Sequence, residues 1–226
     1  MVKITSKKLE TIRDKLQDNR SGKIIFLSHC LLNENTRYFG GAFEESFNKD
    51  CINQIHTKGY GIIQMPCPEQ IAWGGVLKPY LWLGIDLKKT PLYPFRHLLF
   101  KTFIWHTKRK YSRIAKNIIR QIEEYMKSGY KVMGIVGVGG SPTCGITEKI
   151  GLESYEKLTE ISVNTITRQS WNELLYSELL KNGKGLFMQI LNKKLEKRNI
   201  KLNFYEFSLV SEMDSKQQDI FEKSKE

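Results

Sequence analysis

Three of the chain's four cysteines sit just beyond apolar, strand-like runs. Ile24-Ile25-Phe26-Leu27 precedes Cys30, Gly61-Ile62-Ile63-Gln64 precedes Cys67, and Val132-Met133-Gly134-Ile135-Val136 precedes Cys144. Neighbouring parallel strands open their carboxyl ends on one crevice, where open α/β sheets bind ligands, so in such a sheet the three thiols converge. Thiolates suit zinc or iron–sulfur clusters. Structural zinc wants four protein ligands and catalytic zinc favours histidine or carboxylate among three, so an all-thiolate set of three better fits a cluster with one open iron. Buried cysteine is also a small apolar core residue, and that reading stands beside the metal one. His29 is a weaker candidate for a fourth ligand, because successive residues of extended backbone face opposite ways. Cys51 falls on the inward face of an expected helix and reads as core packing.

Other groups near the cysteines could act on a ligand. Glu69 follows Cys67 by two residues, with Pro68 fixing the backbone between them. A carboxylate there can activate water, or cap the next helix, and the two roles are compatible. Ser141 opens a Ser-Pro-Thr-Cys turn where hydroxyls bond local backbone, and Ser141 or Thr143 can also donate to a leaving atom or orient substrate. Arg37 either orients a ligand's carbonyl or phosphate, or is a surface arginine. Gly137, Gly139 and Gly140 look like a phosphate-cradling turn, but their spacing matches neither dinucleotide nor Walker patterns.

The segments carrying these residues resemble a known family. Ser28-His29-Cys30-Leu31-Leu32 followed by Arg37-Tyr38 and Gly40-Gly41, then Pro66-Cys67-Pro68-Glu69, then Gly140-Ser141-Pro142-Thr143-Cys144-Gly145 are similar to the three signature segments of the thiouracil desulfidases and related desulfidases, in the same order. The resemblance implies a 4Fe-4S cluster on Cys30, Cys67 and Cys144, a fourth iron free of protein ligands, and removal of sulfur from a thiolated pyrimidine. It also points to Glu69 and Ser141 as catalytic groups. It runs from Lys23 to Ile146, interrupted between Gly75 and Lys131 by a segment without counterpart in the small members. Asn33 and Phe39 stand where the family's first segment has glycine and aspartate, which marks a desulfidase-related branch.

The elements that must position these residues follow from periodicity. Leu9, Ile12 and Leu16 mark an amphipathic helix over Ser6 to Asp18, and Phe43, Phe47, Cys51 and Ile55 another over Ala42 to Lys58, ended by Gly59. Strands are expected at Lys23 to Leu27, Gly61 to Met65 and Val132 to Val136. Between Pro79 and Lys108 the period is unclear, whereas Arg113 to Lys127 reads as helix and Gly137 to Gly145 as a glycine-rich turn. Gln169 to Lys181 and Asn192 to Arg198 read as helices, Leu186 to Gln189 and Leu202 to Phe207 as strands, and Ser211 to Glu226 as a frayed or helical tail. Alternating strands and helices predict an α/β fold with a Rossmann-like parallel sheet flanked by helices, and the cluster site at the C-terminal ends of the strands.

At 226 residues and 40 % hydrophobic content, the chain reads as one domain, 1–226, with an inserted basic and aromatic segment at about 76–130. Irregularly spaced cysteines without a signal peptide point to a reducing cytoplasm. No run is long and apolar enough to span a membrane, and no membrane partner is expected. The formal charge of +12 suits an anionic partner such as RNA or a nucleotide, or merely a lysine-rich solvated surface. Its sharpest asymmetry is Leu87 to Ile122, read either as a lid whose aromatics cover the pocket while Lys108, Arg109, Lys110 and Arg113 face an anionic group, or as a packed helical hairpin. The leading expectation is a cluster-dependent, oxygen-sensitive desulfidase that converts a thiouracil-like base to its oxo form and hydrogen sulfide. The alternative is a cluster- or zinc-bearing, tRNA-related nucleic-acid-binding module without that activity.

Overall fold

The computed structural model describes residues 6–151, 155–159, 161–213 and 218–221. In chain order the helices are α1 (Ser6–Lys15), α2 (His29–Leu32), α3 (Lys49–Thr57), α4 (Pro68–Ala72), α5 (Pro79–Trp82), α6 (Arg96–Lys127), α7 (Tyr155–Leu158), α8 (Arg168–Glu173), α9 (Leu186–Glu196) and α10 (Leu209–Met213). The strands are β1 (Lys23–Leu27), β2 (Gly61–Gln64), β3 (Lys131–Gly139), β4 (Glu148–Ile150), β5 (Leu180–Asn182) and β6 (Phe204–Ser208).

Four strands form a parallel sheet in the order β2-β1-β3-β6, and β4 and β5 make a separate antiparallel pair. The fold is therefore the expected α/β type. β1 is buried from Ile24 to Leu27 and lies at the centre, with Leu27 level with Gln64 on one side and Val136 on the other. The connection from β1 leads outward to β2, whereas β3 and β6 continue in the opposite direction. The topological switch point thus lies between β1 and β3. A bulge in β3 is absorbed at Gly134, whose φ of 152° suits glycine and whose Cβ, if present, would fall 2.6 Å from the Asn203 carbonyl.

Several elements differ from their sequence reading, each for a local reason. α3 begins at Lys49 rather than Ala42 because the amides of Phe43 and Glu44 donate to the buried Glu34 carboxylate at 2.8 and 3.0 Å, leaving Asn48 to cap the helix through the Cys51 amide. β3 runs on through Gly137 and Gly139, so these are strand positions rather than a loop. A Cβ at Gly137 would meet the Cys144 carbonyl at 2.3 Å, and one at Gly139 the Glu206 side chain at 2.9 Å. The Leu186-to-Gln189 run is the first turn of α9, and Phe187, Met188, Leu191 and Leu195 bury at helical spacing. Gln169 to Lys181 is broken up: α8 passes into a π-helical turn at Leu174–Glu178 and then into β5. The long helix starts at Arg96, with its buried face made from Thr107 onward. Of the tail, Gln218 hydrogen-bonds to the Ser208 backbone and Ile220 is buried in the core, while 214–217 and 222–226 lie outside the described residues.

Candidate metal centre

Cys30, Cys67 and Cys144 line one pocket at the carboxyl edge of the sheet, with about 870 Å³ of atom-free space counted out to its mouth. β1 delivers Cys30 on the first turn of α2, and the Ser28 hydroxyl at the strand's end donates to the Val136 carbonyl at 3.1 Å, tying β1 to β3 beneath the site. β2 delivers Cys67 as the cap of α4, its sulfur accepting from the Gln70 amide at 3.5 Å. His29 also lines the pocket, with its imidazole engaged by the Met65 carbonyl; burial lowers its pKa. Cys51 is fully buried in the main core and is no part of this wall.

The third cysteine comes on a loop that is pinned at both ends. Ser141 Oγ accepts from the amides of Thr143 and Cys144 at 3.2 and 3.0 Å, and no acceptor for its own proton is found among the described residues. Beyond Cys144, the Glu206 carboxylate on β6 accepts from the amides of Ile146 and Thr147 at 2.5 and 2.8 Å and from the Thr147 hydroxyl. Thr143 faces the other way: it is fully buried, its hydroxyl bonds to Tyr111 of α6 at 3.0 Å, and its carbonyl accepts from the first turn of α9. The structure therefore gives Thr143 a packing role in place of the expected substrate contact.

Three buried ion pairs, made by two cations, flank the thiols. Glu69 is paired with Lys78 at 2.8 Å, and the lysine side chain is only 3 % exposed. Lys78 also has left-handed backbone, φ 52° and ψ 50°, a conformation that costs a non-glycine residue about 1–3 kcal/mol. Burial pulls its ammonium pKa down, but the Glu69 carboxylate outweighs this and holds it above the usual value. Arg37 is buried, which excludes the surface reading; it pairs with Glu212 at 2.7 Å and with Glu34 at 3.0 Å, while its Nε has no hydrogen-bond partner. Burial pushes all three pocket thiols upward, Cys67 to about 12, with Arg37 and Lys78 pulling Cys30 partly back. Uncomplexed, these are protonated thiols at neutral pH, which argues against a cysteine nucleophile.

The pocket's far wall comes from the chain beyond Ile150: Leu158, Trp171, Leu175, Tyr176 and Leu179. Tyr38 bonds to Asn172 at 3.0 Å and to the Tyr176 hydroxyl at 2.9 Å, and the Trp171 indole N–H is buried without a partner. None of this wall was anticipated. Nothing in the local sequence marks Lys78 beyond its nearness to Glu69 and Pro79, and the Trp171 to Tyr176 stretch reads only as part of a helix. Of the two readings of Leu87 to Ile122, the lid is not the one seen: no residue of that segment lines the pocket, Phe103 packs on Trp73, and Tyr111 is buried beneath Thr143.

The donor set suits a cluster held by three thiolates. Three sulfurs from three strand ends share one chamber, and the two buried cations beside them, Arg37 and Lys78, are already paired with carboxylates. Among the described residues, no three of His, Cys, Asp or Glu close up enough to hold a single metal ion.

Fold and site together define an α/β protein with a ligand chamber at the switch point of a parallel sheet. No family model matches the chain, and no solved structure matches it. An uncharacterized protein of the archaeon Methanocaldococcus jannaschii is 29 % identical over 143 residues, a span that covers 62 % of this chain and 78 % of that protein. No helix among the described residues is long and apolar enough to cross a membrane.

Proposed function

We propose that this chain is an iron–sulfur-dependent, non-redox desulfidase that replaces the sulfur of a thiolated pyrimidine with oxygen and releases hydrogen sulfide. The observation that carries the reading is the convergence of Cys30, Cys67, Cys144, Glu69 and Ser141 on one chamber from three separate strand ends. Cys30, Cys67 and Cys144 would hold the 4Fe-4S cluster, which when bound supplies a Lewis acid toward the thiocarbonyl sulfur.

The protein's own groups account for the rest. Glu69, clamped by Lys78, takes a proton from the water that attacks the thiocarbonyl carbon. The carbon–oxygen bond forms and the carbon–sulfur bond breaks, so that one water and one thiocarbonyl give one carbonyl and one hydrogen sulfide. Ser141, whose oxygen is held by two amides, directs its proton toward the departing sulfur. Trp73, Trp171 and Tyr176 make an apolar, aromatic enclosure for a flat heterocycle, and the unpartnered Trp171 N–H and Arg37 Nε are available to ring carbonyls.

The same chamber supports a compact, uncharged substrate, a free base or nucleoside, over RNA. Its buried cations Arg37 and Lys78 are each paired with a carboxylate, and no residue of 87–122 lines it. The test is anaerobic purification with iron and sulfide analysis, followed by sulfide release from 2-thiouracil and 4-thiouracil. A brown protein that liberates sulfide from either base supports the reading. A protein that takes up no iron–sulfur cluster under reconstitution overturns it.

A further inference from the structure

The N-terminal third of α6 carries an apolar face that is left exposed among the described residues. From Thr107 onward one side of the helix is buried in the core. On the opposite side Phe95 (at the N-cap), Leu98, Leu99, Thr102 and Trp105 recur at three- and four-residue intervals and so share one stripe. Phe95 is 59 %, Leu98 61 % and Trp105 59 % exposed, and the turns ahead add Leu83 at 69 % and Leu92 at 53 %. Single exposed apolar residues are ordinary, but a set aligned along one helix face marks an interaction surface.

The charge around this stripe says what kind. Residues 87–122 hold ten Lys or Arg and no Asp or Glu. The Arg109 guanidinium lies over the Trp105 ring, 4.7 Å from its centre, and Arg96 lies over Tyr93 at 4.4 Å. Such pairs lay an apolar body in one medium and keep the charge at its boundary with water. A second copy of the chain would bring two acid-free, cationic segments together. A nucleic acid would use the cations and rings but gain nothing from Leu83, Leu92, Leu98 and Leu99.

We propose that this tip of α6 with its preceding turns is a peripheral docking surface for an anionic lipid bilayer. Leucines and tryptophan enter the boundary between headgroups and acyl chains, and the flanking Lys and Arg meet the anionic headgroups. The expectation of no membrane partner rested on the lack of a spanning run, and a helix that lies on the surface needs none. The proposal stands apart from the reaction in the chamber.

Flotation of the full-length protein decides it, with vesicles of phosphatidylcholine alone and of phosphatidylcholine mixed with phosphatidylglycerol. The expected result is flotation with the mixed vesicles only, weakening as salt is raised. Leu98→Glu with Leu99→Glu, both at solvent-facing positions, should cut binding roughly tenfold or more with an unchanged thermal melt. Lys108→Gln with Arg109→Gln should weaken it in a salt-dependent way. No flotation, equal flotation with both vesicle types, tight binding of an RNA oligonucleotide without flotation, or a wild-type dimer that Leu98→Glu makes monomeric would each overturn the proposal.

Discussion

The Lys78 ammonium sits 2.8 Å from the Glu69 carboxylate, and both side chains are largely shielded from water. Lys78 holds that position on left-handed backbone just ahead of Pro79, so a strained residue is kept in place by the ion pair it makes. Removing one partner of such a pair leaves a poorly solvated charge. Lys78→Met should destabilise the cluster-free protein by about 3 kcal/mol, and Glu69→Gln by a comparable amount. The double variant should lose less than the sum of the two. Urea unfolding of the four proteins measures the coupling, and strict additivity would show that the two residues do not act as a pair.

Cys30→Ala, Cys67→Ala and Cys144→Ala should each abolish the brown chromophore or make it far more labile, whereas Cys51→Ala should keep it. Anaerobic visible absorption after reconstitution reads this directly. Retention by Cys67→Ala with loss in Cys51→Ala would reassign the ligands.

Glu69→Gln should keep the cluster and lose turnover by about a hundred- to ten-thousand-fold, the usual worth of general-base assistance. Ser141→Ala should behave differently, because its oxygen also anchors the Cys144 loop through two amides. It should lose turnover and bleach faster in air than Glu69→Gln. Sulfide release and chromophore decay, followed side by side, separate the two roles.

Cys51 gives a pH signature independent of any metal. Burial pushes its thiol from 9.0 up to about 12. A raised folded pKa means that its contribution to stability is fully present below pH 9, where the thiol is protonated in both states. That contribution is lost as pH rises from 9 toward 12, since the unfolded chain ionises first. Wild type should therefore lose stability over this range more steeply than Cys51→Ala. Equal slopes in urea titrations across the range would mean that the thiol is not shielded as the fold indicates.

Gly137→Ala tests how the third ligand is held. The added Cβ would fall 2.3 Å from the Cys144 carbonyl and 2.6 Å from Ile146, so the loop must rise off β3. The variant should bind the cluster poorly although every cysteine remains, and normal reconstitution would show that the loop tolerates displacement.

Much of this was legible along the chain. The strand-end position of three cysteines could be read because parallel strands leave apolar runs with a period that helices do not share, and β1 has the bounds its sequence suggests. What stayed hidden depended on partners far away in sequence. Thr143 points at Tyr111 and Lys78 at Glu69, and neither direction is written in the local pattern. Gly137 and Gly139 read as a flexible turn because sequence alone does not separate glycines that permit bending from those that permit close packing. The short run Leu186 to Gln189 reads as a strand but is helix, because the Pro142 and Thr143 carbonyls receive the first amides of α9 and short apolar runs do not separate the two states.

The strand order also sets a timetable for biosynthesis. Cys30 and Cys67 follow the adjacent strands β1 and β2 and emerge early from the ribosome. The loop of Cys144 is anchored by Glu206 on β6 and by the start of α9, both of which are made after the cysteine itself. A nascent chain released before residue 206 would carry all three thiols and still lack the clamp on the third. Any group that the chamber holds through all three thiols therefore meets the third one in a fixed position only after residue 206 has been made, later than the other two.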